Sequence, residues 1–282
     1  MQVRHHQSVD EFRAVAGTVY RRDPVVHTVE LTALRDPPAS DAALDGVLLT
    51  VWSGGKPIGA AMQTPPYPLL CNGLPEQAIA TVATELARVR PRLAALRGVR
   101  DTTTAFADAW CAVTGHAGTV TTEERLYRLA TLRVPGAVTG AHRYATDADS
   151  DVLVGWLDLF FAQTFGELPD HGAREQFVRK SRQAGDHFLL WVVDGSPVSM
   201  AMVRAPESGV SRIGPVFTPL PRRGHGYGSA ATAAAAEWAR CIGADDVVLF
   251  ADLANPVSNA IYQRIGFTPV CDSVRIDVGT PV

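Results

Sequence analysis

The feature that most constrains this chain is an approximate internal repetition. Residues 49–52 lead through Ser53-Gly54-Gly55-Lys56 into Pro57-Ile58-Gly59-Ala60-Ala61-Met62. Residues 190–193 lead through Asp194-Gly195-Ser196 into Pro197-Val198-Ser199-Met200-Ala201-Met202, and the two prolines lie 140 residues apart. Each stretch reads as strand, glycine turn, strand. An Ala-rich helical stretch at 76–90 then answers one at 227–241 at an offset of 152, and residues 105–120 answer 256–270 at an offset of 151. A recurring order of element types in 282 residues points to a tandem duplication, with one continuous α/β domain as the alternative. Pro135-Gly136-Ala137-Val138-Thr139-Gly140 is turn-forming, so units of 1–135 and 141–282 are expected, each of mixed α/β class.

Composition narrows the functions available. With 26 Lys+Arg against 29 Asp+Glu, the net charge of -3 predicts no polyanion-binding surface, and nucleic acid is not an expected partner. No apolar run approaches the roughly 18 residues that cross a membrane, and Met1-Gln2-Val3-Arg4-His5-His6 has no apolar signal segment behind it, so a cytoplasmic location is expected. Cys71, Cys111, Cys241 and Cys271 are widely separated, so neither a metal site nor a disulfide framework is expected, and they read as small buried apolar residues.

The offset grows from 140 to about 151 because the second half carries about a dozen extra residues, and these hold the most informative stretch. Residues 210–218 read as a strand, Pro219 to Gly228 as a Pro- and Gly-rich loop, and 227–238 as a helix. Gly224, Gly226 and Gly228 permit φ > 0 and expose successive N–H groups, and the helix N-terminus adds partial positive charge. A pyrophosphate fits such a loop. The Lys of a nucleoside-triphosphate loop is missing after Gly228, the G-x-G-x-x-G spacing of a dinucleotide site is not met, and Ser229 is not in a G-x-S-x-G elbow.

Arg223-Gly224-His225-Gly226-Tyr227-Gly228 matches R/Q-x-x-G-x-G/A, and in this it resembles the acyl-CoA loop of the GNAT N-acetyltransferase superfamily. After a strand at 246–251 comes Asn255-Pro256-Val257-Ser258-Asn259-Ala260-Ile261-Tyr262-Gln263-Arg264-Ile265-Gly266-Phe267, which resembles that family's N-x-x-A-x-x-x-Y-x-x-x-G-F signature, with Ser258 in place of alanine. Asn255 suits an N-cap, Pro256 the first helical position and Gly266 the C-terminal cap. Val257, Ile261 and Ile265 form an apolar stripe that leaves Asn255, Ser258, Asn259 and Tyr262 grouped beside it.

The resemblance implies two tandem GNAT-like domains, each a mostly antiparallel twisted sheet flanked by helices. Residues 141–282 would be the catalytic domain and 1–135 a degenerate copy, which has Cys111 where the second half has Tyr262 and lacks the glycine loop. It also implies direct transfer of an acetyl group from acetyl-CoA, with no metal, to an amine of a small-molecule or peptide acceptor. Tyr262 and Asn255 are the implied catalytic residues, Tyr262 as general acid. The implied cofactor-binding residues are Val216, Phe217 and Thr218 for the pantetheine arm, Arg223, Gly224, His225, Gly226, Tyr227, Gly228 and Ser229 for the pyrophosphate, and Asn255, Ser258, Asn259 and Tyr262 on the later helix. Glu207, Asp252, Asp186 and His225 are candidates for the base, as is a water chain. A homodimer is left open. The alternative function is an acyl-CoA-binding regulatory or interaction module without turnover.

Overall fold

A computed structural model of the chain describes residues 1–35, 46–166 and 168–281. Along the chain run β1 (Gln2–His5), α1 (Val9–Tyr20), α2 (Thr28–Arg35), β2 (Val47–Ser53), β3 (Lys56–Gln63), β4 (Leu69–Leu70), α3 (Ile79–Val89), β5 (Ala95–Val99), α4 (Arg100–Thr114) and β6 (His116–Leu129). The same kinds of element then return: β7 (Ala141–Tyr144), α5 (Ser150–Phe165), α6 (His171–Gln183), β8 (His187–Val193), β9 (Ser196–Val203), β10 (Val210–Phe217), α7 (Tyr227–Cys241), β11 (Asp246–Asp252), α8 (Pro256–Ile265) and β12 (Phe267–Pro281).

Two compact units result. The first takes Met1–Leu126, Asp252–Ala254 and Val270–Val282; the second takes Tyr127–Ala251 and Asn255–Pro269. Each unit therefore draws on both sides of the turn-forming segment at 135–140. The reason is strand pairing. In the first unit β12 lies between β5 and β6, running antiparallel to β5 from Ser273 opposite Val99 to Asp277 opposite Ala95. A two-pronged ion pair, Arg125 to Asp272 at 2.6 and 3.0 Å, adds to it.

The first unit's sheet has the order β1-β2-β3-β4-β5-β12-β6, and the second unit's has β6-β11-β10-β9-β8-β7. Antiparallel pairing prevails in both; β4–β5 and β10–β11 are parallel. The expected hairpins are β2–β3 and β8–β9, turning on Gly54 and Gly55 (φ +56° and +75°) and on Asp194 and Gly195 (φ +48° and +76°). Both carry a register shift at the same place, Val51/Trp52 and Trp191/Val192. The helix expected at 227–241 is α7; the one expected at 76–90 begins as a 3-10 turn, Glu76–Ala78, and is α-helical only over α3.

In the second unit α7 buries Ala230, Ala231, Thr232, Ala233, Ala234, Ala235, Ala236 and Ala239, so its backbone can approach the sheet closely. Its partners in that core include Leu189, Val203, Ile213, Val247, Leu249 and Phe267. All four cysteines are free thiols, but only Cys71 is buried; Cys241, at the end of α7, is exposed, so the reading of all four as buried residues holds for one. No described helix is long and apolar enough to cross a membrane.

Candidate functional site

The loop between β10 and α7 presents a run of open backbone donors. Gly224 and Gly226 have φ of +85° and +80°, a left-handed conformation that side chains with a Cβ adopt only with strain. Gly226 is the N-cap of α7 and provides no side-chain cap. Among the described residues, no acceptor meets the amides of residues 224–229. The first turn of α7 holds no carboxylate, so neither a cap nor a counter-charge neutralises this helix end. A Cβ on Gly228 would come 3.1 Å from the Thr218 hydroxyl oxygen, and one on Gly226 3.2 Å from Cγ2 of Val138.

A second opening adjoins it. The parallel ladder of β10 with β11 runs from Val210 opposite Asp246 to Ile213 opposite Leu249 and stops there. Beyond a bulge between Ile213 and Val216, β10 continues to pair only with β9, Val216 with Ala201 and Phe217 with Met200. Pro215, within the bulge, has no N–H to offer a neighbour. Among the described residues, the edge of Val216 and Phe217 turned away from β9 is thus left without strand partners. The Thr218 hydroxyl is held at 2.9 Å by Ser199, a buried side chain that also donates to the Phe217 carbonyl at 3.1 Å.

Arg223 is placed by two bonds, donating through Nε to the Thr218 carbonyl at 3.0 Å and through Nη2 to the Gln163 side chain on α5 at 2.7 Å. The rings of His225 and Tyr227 stack with centroids 5.3 Å apart.

The third element is α8, capped as its sequence predicts. The Asn255 side chain accepts from the Ser258 amide at 3.0 Å, Pro256 is in the first turn, and Gly266 ends the helix at φ +109°. The apolar stripe is shorter than expected: Ile265 is buried and Ile261 half-buried, but Val257 is 66% exposed because the first turn of α8 extends past the core. Tyr262 is half-buried, with its ring against Phe267 at 6.3 Å. Burial pushes its phenol up to about 12, and its hydroxyl meets no partner among the described residues. Asn259 turns inward, donating to the Asn255 carbonyl at 2.7 Å and accepting from the Tyr127 hydroxyl at 2.8 Å.

Residues 153–267, which span all three elements, match the model of the acetyltransferase (GNAT) family. This segment is a GNAT domain. A curated relative, the mycothiol acetyltransferase of Beutenbergia cavernae, is 31% identical over 133 residues, covering 45% of this chain and 44% of that protein. The match thus spans less than half of the relative's length. Two solved structures extend the likeness beyond the GNAT domain. An acetyltransferase from the GNAT family of Colwellia psychrerythraea has a TM-score of 0.65 at 9% identity, covering 99% of this chain and 100% of that one. A tandem GNAT protein from the clavulanic acid biosynthesis pathway has a TM-score of 0.58 at 16% identity, over 100% of both. At these identities the likeness is one of fold, and the fold expected from the repeats together with the motif resemblance, tandem GNAT-like units of mixed α/β class, is the one found.

The candidate bases have different surroundings. Asp186 is buried and bound to Arg204 at 2.9 Å and to the Ala205 amide at 3.0 Å, a structural role. Glu207 accepts from the Ser208 hydroxyl at 3.0 Å, and Asp252 accepts from the Ala254 amide at 2.8 Å within the first unit. His225 is exposed on the glycine loop of the GNAT domain. On α5, Phe160 and Phe161 pack against the core while Phe165 is 45% exposed. Tyr127 and Gln163 carried no motif signal; each is found only through what it touches.

Proposed function

We propose that the chain is an acetyl-CoA-dependent N-acetyltransferase acting on a primary amine of a small-molecule or peptide acceptor. The observation that carries this reading is the row of unmet amides at 224–229, on left-handed glycines at an uncapped helix N-terminus. That is the donor set an anionic diphosphate requires, and a side chain at Gly226 or Gly228 would have to displace Val138 or Thr218 by a few tenths of an ångström. The relative named mycothiol acetyltransferase is likewise an acetyltransferase by name.

In this reading Arg223, Gly224, His225, Gly226, Tyr227, Gly228 and Ser229 hold the diphosphate. The unpaired edge of Val216 and Phe217, with Thr218, receives the amide-bearing arm as an added strand would be received. Acetyl-CoA, when bound, supplies the activated thioester. Asn255, Ser258 and Asn259 border the arm on α8, and Tyr262 directs its free hydroxyl to the leaving sulfur. With the phenol at about 12 and a thiol near 8.5, complete proton transfer is uphill by about 5 kcal/mol. Tyr262 therefore acts mainly by donating a hydrogen bond to the negative charge as it develops.

We also read residues 1–135 as a degenerate copy and 141–282 as the catalytic one. In the first unit the place corresponding to the opening beside β10 is stitched shut. Past the β4–β5 pairing, the Cys71 amide donates to the Arg97 carbonyl at 3.1 Å and the Asn72 side chain accepts from the Val99 amide at 2.5 Å. Glu76 stands in the turn before α3, where a diphosphate would need positive potential.

Calorimetric titration with acetyl-CoA, beside Gly226→Asp, tests the reading. One site per chain, lost in the variant, followed by thiol release with one or more of a panel of amines, is the expected result. No binding to the wild type removes the proposal.

A further inference from the structure

α8 is weakly held for an element that carries two implied catalytic residues. Ile265 is its one buried residue, and its first turn is exposed. Ile261 and Tyr262 reach the core only in part, and the rest of what ties α8 down is polar. Asn255, Asn259 and Gln263 recur every fourth residue and so line one stripe of the helix. Against that stripe stands Tyr127, near the end of β6, with 0% of its surface exposed. Its hydroxyl donates to Oδ1 of Asn259 at 2.8 Å and accepts from Nε2 of Gln263 at 3.2 Å. Asn259 passes the link on, donating from Nδ2 to the Asn255 carbonyl at 2.7 Å.

One fixed, buried hydroxyl thus engages two successive turns of α8. A helix with few apolar contacts can roll about its own axis at small cost, and rolling would carry Asn255 and Tyr262 together out of the orientation that the proposed function requires. Two bonds at different heights on one stripe oppose that motion.

We propose that Tyr127 is a positioning residue which, acting through Asn259, sets the roll of α8 and so aims Asn255 and Tyr262 at the acetyl-CoA site. The proposal rests on the function given above, and it places control of the GNAT domain's last helix on a strand that precedes the domain in sequence. Asn259 serves orientation through both ends of its amide, whatever it contributes to the cofactor.

The test uses the full chain and Tyr127→Phe, which keeps the ring and its burial and removes only the hydroxyl. In the absence of cofactor, amide hydrogen exchange over residues 255–266 is expected to quicken about two- to tenfold, the range of one lost hydrogen bond, with other segments unchanged. Unchanged exchange there, or quickening spread over the whole second unit, overturns the proposal. In titrations with acetyl-CoA, Tyr127→Phe is expected to bind two- to tenfold more weakly. The loss in Tyr127→Phe/Asn259→Ala should be smaller than the two single losses combined; losses that add overturn the route through Asn259. If the wild type binds no acetyl-CoA, the proposed function fails, while the exchange measurement still decides whether Tyr127 holds α8.

Discussion

The guanidinium of Arg223 donates at 2.7 Å to the side-chain oxygen of Gln163, tying the glycine loop to α5. The same group donates at 3.0 Å to the Thr218 carbonyl, so it closes the loop upon the end of β10. These bonds are exposed, and an anion arriving at the loop can compete for the guanidinium.

Arg223→Ala is therefore expected to weaken acetyl-CoA binding roughly tenfold, as for one charge-assisted hydrogen bond, with a smaller deficit at high salt. Gln163→Leu should stay within about threefold of wild type, because it frees the guanidinium without removing it. Titrations at two ionic strengths check both; an unaltered affinity in Arg223→Ala would confine its role to the loop.

Gly226 and Gly224 share a left-handed backbone but differ in their surroundings. A Cβ at Gly226 would press on Val138 at 3.2 Å, whereas one at Gly224 meets nothing within 4 Å. Both alanine variants should lose about 1–2 kcal/mol of local backbone stability. Gly226→Ala should bind acetyl-CoA more weakly than Gly224→Ala, since it also displaces the N-cap of α7. Thermal melts and calorimetry on the pair measure the two effects.

Tyr262→Phe is expected to lower kcat by about 10²- to 10⁴-fold while acetyl-CoA affinity stays within a few-fold. Because burial holds the phenol up at about 12, Tyr262 stays protonated through neutral and moderately alkaline pH. Its own ionisation should depress the rate only as pH approaches about 12, and the alkaline limb of the pH–rate profile reports this. A loss of rate near pH 10 that vanishes in Tyr262→Phe would contradict the assignment.

At the entrance to α5, the Asp149 carboxylate accepts from two nitrogens of Arg143 at 2.7 and 2.8 Å and from the Thr146 amide and hydroxyl at 2.8 and 3.0 Å. The bond from Arg143 is the main reason its carboxyl lies well below the ordinary range. The folded value is depressed, so the stabilisation is fully present above the unfolded value near 4 and is lost as pH falls below it. Asp149→Asn should lower Tm at pH 7 by roughly 3–8 °C and flatten the loss of Tm between about pH 4 and 2. Melting curves across that range decide it; an identical acid slope would separate Asp149 from acid unfolding.

Much of the candidate site's backbone geometry was legible because it is set locally. Gly224 and Gly226 imply left-handed backbone wherever the loop sits, and Asn255, Pro256 and Gly266 mark the ends of α8 through contacts spanning a few residues. The hairpins at 54–55 and 194–195 are of the same kind. The apolar stripe of α8 was partly misread at Val257, since periodicity tells which face a residue occupies and not whether the core reaches that far along the helix.

By itself the sequence determined the duplicated hairpins, the glycine loop at the start of α7 and the caps of α8, all set by backbone sterics and short-range bonds. Only the tertiary structure decided that β12 lies between β5 and β6, that the β10–β11 ladder ends at Ile213, and that Tyr127 meets α8 132 residues away at Asn259. These are pairings between distant segments. Each depends on which strand edge or buried hydroxyl the rest of the fold leaves within reach, and no local propensity encodes that.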